Sequence, residues 1–341
     1  MRCVSIKGVK QFEIKEIAEP KKEKGKVLVD VKKTGICGSD IHYWEAGGPV
    51  GLVMGHEYCG VVTDPGSRKD LKVGDRVTAL PISPCGKCPA CLSGNVQYCN
   101  DTWTYATGLS LDNPGGLAPK MAIRQDMVIK VPRNMKDNEV AMVEPVAVGL
   151  HAVNLANMKI GQKVLVIGGG IIGLVSAMFA KKNGASYVVV SETNPARGRK
   201  AVKLGVADEW VDAKKGDTIQ KMMEKTQGGF DVVIECCGNS AAVSSSIMMV
   251  KNGGTVVLVG VSLAPITVPM VMGVMHELTM KGAIAYTKEE FQTVIDMISN
   301  KEIEVTKFVD KIVPLSKVQA AYEELTSGKT DIIKILVDPN R

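Results

Sequence analysis

The stretch KVLVIGGGIIG, Lys163 to Gly173, constrains the fold more than any other part of the chain. A short apolar strand stops at three consecutive glycines, and an apolar segment of helical character follows to about Asn183. Gly168, Gly170 and Gly173 spell G-x-G-x-x-G. The first permits a tight turn, the second lets a pyrophosphate approach the backbone, and the third lets helix and strand pack closely. The helix N-terminus then faces the phosphates. Three glycines alone are weak evidence, but here a second strand, YVVVSE, follows and ends at Glu192. An acidic residue there accepts hydrogen bonds from the adenosine ribose hydroxyls and repels a 2′-phosphate, which favours NAD over NADP. The plainer alternative is a polar residue capping a strand. Arg197 and Arg199 lie nearby and keep NADP open, although Arg197 equally suits stacking on the adenine.

The same texture continues. PARGRKAVKLG reads as a helix; FDVVIECCG, GTVVLVG and LTMKGAIAY read as strands, with helical segments between them. Strands apolar on both faces, alternating with helices, indicate a buried parallel sheet. Residues up to about 150 differ. KVLVDVKKTGIC, HEYCGVVTD, GDRVTAL and MAIRQDMVIKVP are strand candidates broken by Gly, Pro, Asp and Asn, an irregular β-rich pattern. HYWEAGGPVG and TWTYATGLSL read as loops. The tail holds a helix, LSKVQAAYEELTSG, and a last strand, DIIKILVDP. A length of 341 residues suits two domains. Aromatics are only 4%, so the cores must be built from Val, Ile, Leu, Ala and Met.

Other classes fit poorly. The net charge of +6 is spread along the chain, and Glu23 and Gly25 break the run KKEKGK, which reads as a solvated turn and not a nucleic-acid patch. The N-terminus enters strand-like alternation without a charged-then-apolar signal pattern. The apolar run Val164 to Ala180 is nearly long enough for a membrane span, but the glycines near its start argue against one. The expectation is a cytoplasmic protein with neither membrane nor nucleic acid as partner.

The nine cysteines are odd in number, and four are clustered, which points to metal ligation over disulfides. Cys85, Cys88, Cys91 and Cys99 satisfy a tetrahedral Zn²⁺ with no open position, a site that organises a loop. A nucleic-acid zinc ribbon is the rival, but only Lys87 supplies positive charge between these cysteines. A second, dispersed set starts in GICGSDIHYWE, which holds Cys37, Asp40, His42 and Glu45. It continues with His56 and Glu57 in GHE, and with Glu144 before Pro145. A thiolate, an imidazole and one carboxylate plus water make an open, catalytic type of zinc site. His56 taken alone is more often a satisfied polar residue.

GICGSDIH, GHEYCG, VGDRV, the four-cysteine lobe, EPVAVGLHA and GGGIIG, in this order, resemble the zinc-dependent medium-chain dehydrogenase/reductase family along the whole chain. The resemblance implies an α/β protein. A GroES-like β-rich catalytic domain would span 1–149 and 286–341, with its zinc lobe at 85–99. A Rossmann dinucleotide-binding domain, a doubly wound parallel sheet, would span 150–285. CGSDIHYWE is most similar to sorbitol and other polyol dehydrogenases. That likeness implies a catalytic zinc on Cys37, His56 and Glu57, with Glu144 touching the metal-bound water. In some bacterial relatives the later glutamate binds zinc, so Glu57 and Glu144 both stand as third protein ligand. Ser39 would take the substrate proton, His42 pass it to solvent, and Asp40 orient the histidine ligand. Tyr43 and Tyr286 would line the substrate pocket; Ile172, Glu192, Arg197, Val261, Ile284 and Ala285 would line the cofactor. The sorbitol enzymes carry an arginine where this chain has Ala285. KGAIAY is more similar to butanediol dehydrogenases, which favours a smaller or less polar substrate.

The expected activity is hydride transfer between a secondary alcohol, a polyol or vicinal diol, and NAD, with zinc as Lewis acid. An L-threonine 3-dehydrogenase-like activity, or that of another small secondary-alcohol dehydrogenase, is the alternative. A non-enzymatic nucleotide-binding relative is disfavoured by the presence of both Cys37 and His56. The resemblance also implies a homo-oligomer, a dimer or tetramer, acting on a small-molecule alcohol or ketone. Glu45 has no assigned role and reads as a solvated loop residue.

Overall fold

The apolar runs beyond residue 160 form a six-stranded sheet. The computed structural model describes residues 1–341 and separates into two units. One comprises Met1–Ala147, Tyr286–Ser327 and Lys334–Arg341; the other comprises Val148–Ala285 and Gly328–Ile333.

In the second unit the strands run Glu209–Asp212, Tyr187–Glu192, Lys163–Ile167, Phe230–Glu235, Val250–Leu258 and Thr279–Gly282 across the sheet, every neighbouring pair parallel. In chain order this is 3-2-1-4-5-6, the doubly wound arrangement. The order reverses between the first and fourth strands, where Ile167 pairs with Glu235, and ligands of such sheets bind beyond the carboxyl ends at that point. Leu165, Val189, Phe230, Val233 and Val256 fill the core without exposure. The run Val164–Ala180 that raised a membrane span is divided between the strand Lys163–Ile167 and the helix Ile171–Lys182. No helix is long and apolar enough to cross a membrane. The division is made at Gly168, which takes φ +107°, a conformation side chains resist. The helix Pro195–Lys203 begins where Asn194 Oδ1 accepts from Ala196 N at 2.9 Å, with Pro195 in the first helical position.

The first unit is built on a seven-stranded, mostly antiparallel sheet. Its order is Val309–Pro314, Lys334–Asp338, Lys26–Gly35, Glu57–Asp64, Arg76–Ala79 and Val128–Lys130, with Lys120–Arg124 also pairing to Lys26–Gly35. A hairpin, Arg2–Gly8 with Gln11–Glu16, stands apart from that sheet. The chain's last strand thus lies beside Lys26–Gly35, with Leu336 opposite Gly35.

Part of one expected loop is a helix. Gly38–Ala46 is helical, beginning after an extended Cys37 whose N–H donates to Asp40 Oδ2 at 3.2 Å. It stops at Gly47, which adopts φ +77° and donates to Tyr43 O at 2.9 Å. Trp44 anchors the buried face. Glu45 lies on this helix and pairs with Lys10 at 3.1 Å, so it is neither in a loop nor without a partner.

A Cβ at Gly173 would overlap Gly168 O. Gly173→Ala is therefore expected to lower stability by about 1–3 kcal/mol, the usual cost of overpacking. Denaturant melts measure this, and an unchanged midpoint would contradict the close packing.

Candidate active site

The four cysteines of the lobe come together. The sulfurs of Cys85, Cys88, Cys91 and Cys99 all lie within 4.8 Å of one another. Backbone N–H groups aim at them: Cys85 N donates to Cys99 Sγ at 3.3 Å, Gly86 N to Cys91 Sγ at 3.3 Å and Cys88 N to Cys85 Sγ at 3.4 Å. Donation from Cys85 N pulls the Cys99 thiol down to about 6, while burial pushes its neighbour Cys91 up to about 12, so the four thiols do not share one tendency. The donor set fits a closed Zn²⁺ site.

A second group joins distant parts of the sequence. Ligand atoms of Cys37, His56 and Glu57 lie within 4.8 Å of one another, close to the span of two zinc bonds of about 2.0–2.3 Å each. Cys37 is held at the start of its helix, and Glu57 opens the strand Glu57–Asp64 opposite Gly35. His56 Nδ1 lies 3.3 Å from Asp40 Oδ1, an approach without full hydrogen-bond alignment, which leaves Nε2 for a metal. Burial opposes charge on this imidazole, yet Asp40 and Cys37 push its pKa well above the usual range. Glu57 Oε1 is buried with no partner, an orphan acceptor that a metal would satisfy. These residues fit an open Zn²⁺ site.

Glu144 lies outside that trio and is held separately. Its Oε1 accepts from the Tyr286 hydroxyl at 2.9 Å, both side chains being buried. Burial pushes the Glu144 carboxyl up to about 7, with His56 opposing and Glu57 reinforcing the shift. Ser39 and His42 share a face of the helix Gly38–Ala46. Ser39 Oγ donates to Cys37 Sγ at 3.3 Å, His42 is exposed, and Tyr43 is half-buried.

In the second unit, Glu192 turns onto the glycine loop. Its Oε2 accepts from Gly169 N at 2.6 Å, while Oε1 accepts from Asn194 N at 2.7 Å and from Thr193 Oγ1 at 3.1 Å. Gly170 leads into the helix Ile171–Lys182, and a Cβ there would meet nothing within 4 Å. Ile172 and Arg197 are half-buried, Val261 and Ile284 are exposed, and Ala285 is buried.

Two family models cover most of this architecture. The alcohol dehydrogenase GroES-like domain matches residues 23–133, and the zinc-binding dehydrogenase model matches 172–300. A probable D-xylulose reductase A of Aspergillus fumigatus is 32% identical over 340 residues, spanning 95% of this chain and 93% of the relative. The chain belongs to the zinc-binding dehydrogenase family. A sorbitol dehydrogenase of Bacillus subtilis is 30% identical over 353 residues, covering 100% of this chain and 98% of its own. The crystal structure of 2R,3R-butanediol dehydrogenase from Bacillus subtilis matches with a TM-score of 0.87 at 30% identity, covering 99% of both chains. The dehydrogenase therefore combines a GroES-like domain with a Rossmann domain, as the sequence motifs imply.

Three residues of the dehydrogenase escaped the sequence reading. Lys334, wholly buried, donates to Glu57 Oε2 and to Ile36 O, the latter at 2.8 Å. Gly35 makes this possible, because a Cβ there would overlap Glu57 Oε2. Gly169 is the third: its added Cβ would lie 2.8 Å from Glu192 Oε2. The available signal for Lys334 was a lone charge inside the apolar strand sequence DIIKILVDP. Lys334→Met strands a buried carboxylate, so a loss of about 3–5 kcal/mol is expected. Adding Glu57→Gln should restore part of it in chemical denaturation, and strict additivity of the two changes would refute the pairing.

Proposed function

We propose that this dehydrogenase interconverts a small vicinal diol or short polyol and its ketone, using NAD, with Cys37, His56 and Glu57 holding a catalytic zinc. The convergence of those three ligand atoms within 4.8 Å, with Glu57 Oε1 unpartnered, carries the reading. Names among the relatives support the substrate class: a xylulose reductase, a sorbitol dehydrogenase and a butanediol dehydrogenase. Ala285 supports the smaller end of that class, because it offers no cation to a chain of hydroxyls. When bound, zinc polarises the oxygen of the alcohol or ketone, and the dinucleotide exchanges a hydride with its carbon.

The chain's own residues supply position and proton traffic. Asp40 would orient the His56 ring from beside Nδ1 once the two align, and Ser39 donates toward Cys37 until a substrate hydroxyl replaces that contact. Ser39 would then accept the hydroxyl proton as it gives up its own, which the exposed His42 on the same helix face would take up and release to water. Tyr286 holds one oxygen of Glu144 and leaves the other to orient a water or hydroxyl. Tyr43 lines the substrate side. Glu192, in the position of a ribose acceptor, favours NAD over NADP. The lobe of Cys85, Cys88, Cys91 and Cys99 holds a structural zinc.

The dehydrogenase is further proposed to be a homo-oligomer. Val261, Leu263, Met270, Val271, Val274 and Met275 are exposed, and Thr279–Gly282 is the edge of its sheet, a surface suited to a second copy. Light scattering tests this, and a monomer at micromolar concentration would refute it.

Purified protein should contain about two zinc ions per chain, one per cysteine-bearing cluster. NAD and NADP reduction should be followed with vicinal diols, polyols, L-threonine and simple secondary alcohols in parallel. Diols or short polyols with NAD are expected to give the highest kcat/KM; L-threonine as best substrate would overturn the reading. Cys37→Ser should abolish turnover while NADH still binds, and normal turnover would remove Cys37 from the metal. Cys88→Ser should instead lower stability or assembly. Lost activity with unchanged folding would refute the lobe's structural role.

A further inference from the structure

At its order reversal the Rossmann unit presents two loops, and each leads into a helix. The glycine loop precedes Ile171–Lys182, and the turn after Glu235 precedes Ser240–Met249. Either helix start could attract a pyrophosphate, since both expose N–H groups and the positive end of a helix dipole. Before the first, Glu192 Oε2 accepts from the loop's Gly169 N at 2.6 Å. No side chain caps the first helix, and the space at Gly170 is open.

The second helix has a side-chain cap, and the turn before it is held from within. Glu235 is fully buried at the end of the strand Phe230–Glu235. Its Oε1 accepts from Cys237 N at 2.6 Å and from Gly238 N at 2.9 Å. Asn239 Oδ1 accepts from Ala242 N at 3.0 Å. The backbone oxygen of Glu235 takes Val259 N at 2.8 Å and Gly260 N at 3.0 Å, which brings a third segment into the cluster. Contact there is backbone to backbone: a Cβ at Gly260 would overlap Gly238 N. The same turn walls the glycine loop. Cys236 N donates to Ile167 O at 2.9 Å, and a Cβ at Gly168 would lie 2.8 Å from Cys237 Sγ.

We propose that Glu235 is a positioning residue for the dinucleotide. By accepting from the N–H groups of Cys237 and Gly238, it holds the turn as a wall beside the glycine loop. The inference rests on the reading of this unit as dinucleotide-binding. The acceptor oxygen matters here, not the charge. Only Oε1 is engaged, Oε2 has no partner, and burial pushes the carboxyl upward, toward its neutral form. An amide oxygen should serve as well.

The test uses the full zinc-loaded chain, with NADH and NADPH titrations by fluorescence and steady-state kinetics. Wild type is measured first; failure to bind either dinucleotide would overturn the cofactor reading and this inference together. Given binding, Glu235→Gln should stay within about threefold of wild type in NADH Kd. Glu235→Ala should raise Kd and cofactor KM about tenfold, equivalent to ~1.4 kcal/mol, with kcat at saturating cofactor little changed. Wild-type affinity in Glu235→Ala, a glutamine variant as impaired as the alanine one, or a loss confined to kcat would each overturn the proposal. Should the alanine variant not fold, Glu235→Asp carries the same expectation, because its shorter side chain falls short of both N–H groups. Unchanged cofactor KM in that variant overturns the proposal equally.

Discussion

A buried ammonium set against a buried carboxylate governs the metal-binding half of this molecule. Lys334 and Glu57 are both without solvent exposure, and each charge costs several kcal/mol to desolvate. Their pairing is tolerable only because Ile36 O takes a second bond from the ammonium and Gly35 leaves room for both side chains. Three strands are thereby committed to one geometry: Lys26–Gly35, Glu57–Asp64 and Lys334–Asp338. The pair also sets the charge of the candidate metal site. A thiolate at Cys37 and a carboxylate at Glu57 would bring two negative charges, and Lys334 cancels one of them.

The Rossmann unit manages charge in a different way, by turning carboxylates onto backbone donors. Glu192 holds Gly169 N and Asn194 N, and Glu235 holds Cys237 N and Gly238 N. Both lie at the carboxyl edge of the sheet. In each case a side-chain oxygen accepts from N–H groups of its own loop. The helix start at Gly170 remains as the free donor surface. Glycines make this possible, since Gly168, Gly169 and Gly173 all sit where a Cβ would strike a neighbouring atom.

What could be read from the sequence was whatever is local or periodic. The glycine motif, the alternation of strands with helices and the cysteine spacing each lie within a short window, and each corresponds to structure of the expected type. Gly38–Ala46 was missed because its capping position is a cysteine and its residues carry no strong apolar stripe. Lys334 was invisible for a more basic reason. A lysine in a strand normally points to solvent, and its partner Glu57 is 277 residues away. The choice between Glu57 and Glu144 met the same limit, because composition cannot show that Tyr286 engages one carboxylate and Lys334 the other.

The lobe and the histidine also belong to one packed body, although no motif connects them. After Cys99 the chain is tied down at once: Thr102 N donates to Cys99 O at 3.0 Å, Ser83 N to Thr102 O at 2.7 Å, and Thr107 N to Pro81 O at 2.8 Å. It then runs against the segment leading to His56, where Gly115 N meets Val53 O at 2.8 Å, Gly116 N meets Gly55 O at 2.7 Å and Leu117 N meets Met54 O at 2.9 Å. These contacts are so close that a Cβ at Gly115 would lie 2.6 Å from Gly55 O. Backbone packed on backbone has no rotamers with which to absorb a displacement. The strap that carries His56 is therefore fixed, backbone to backbone, to the chain that follows the four cysteines.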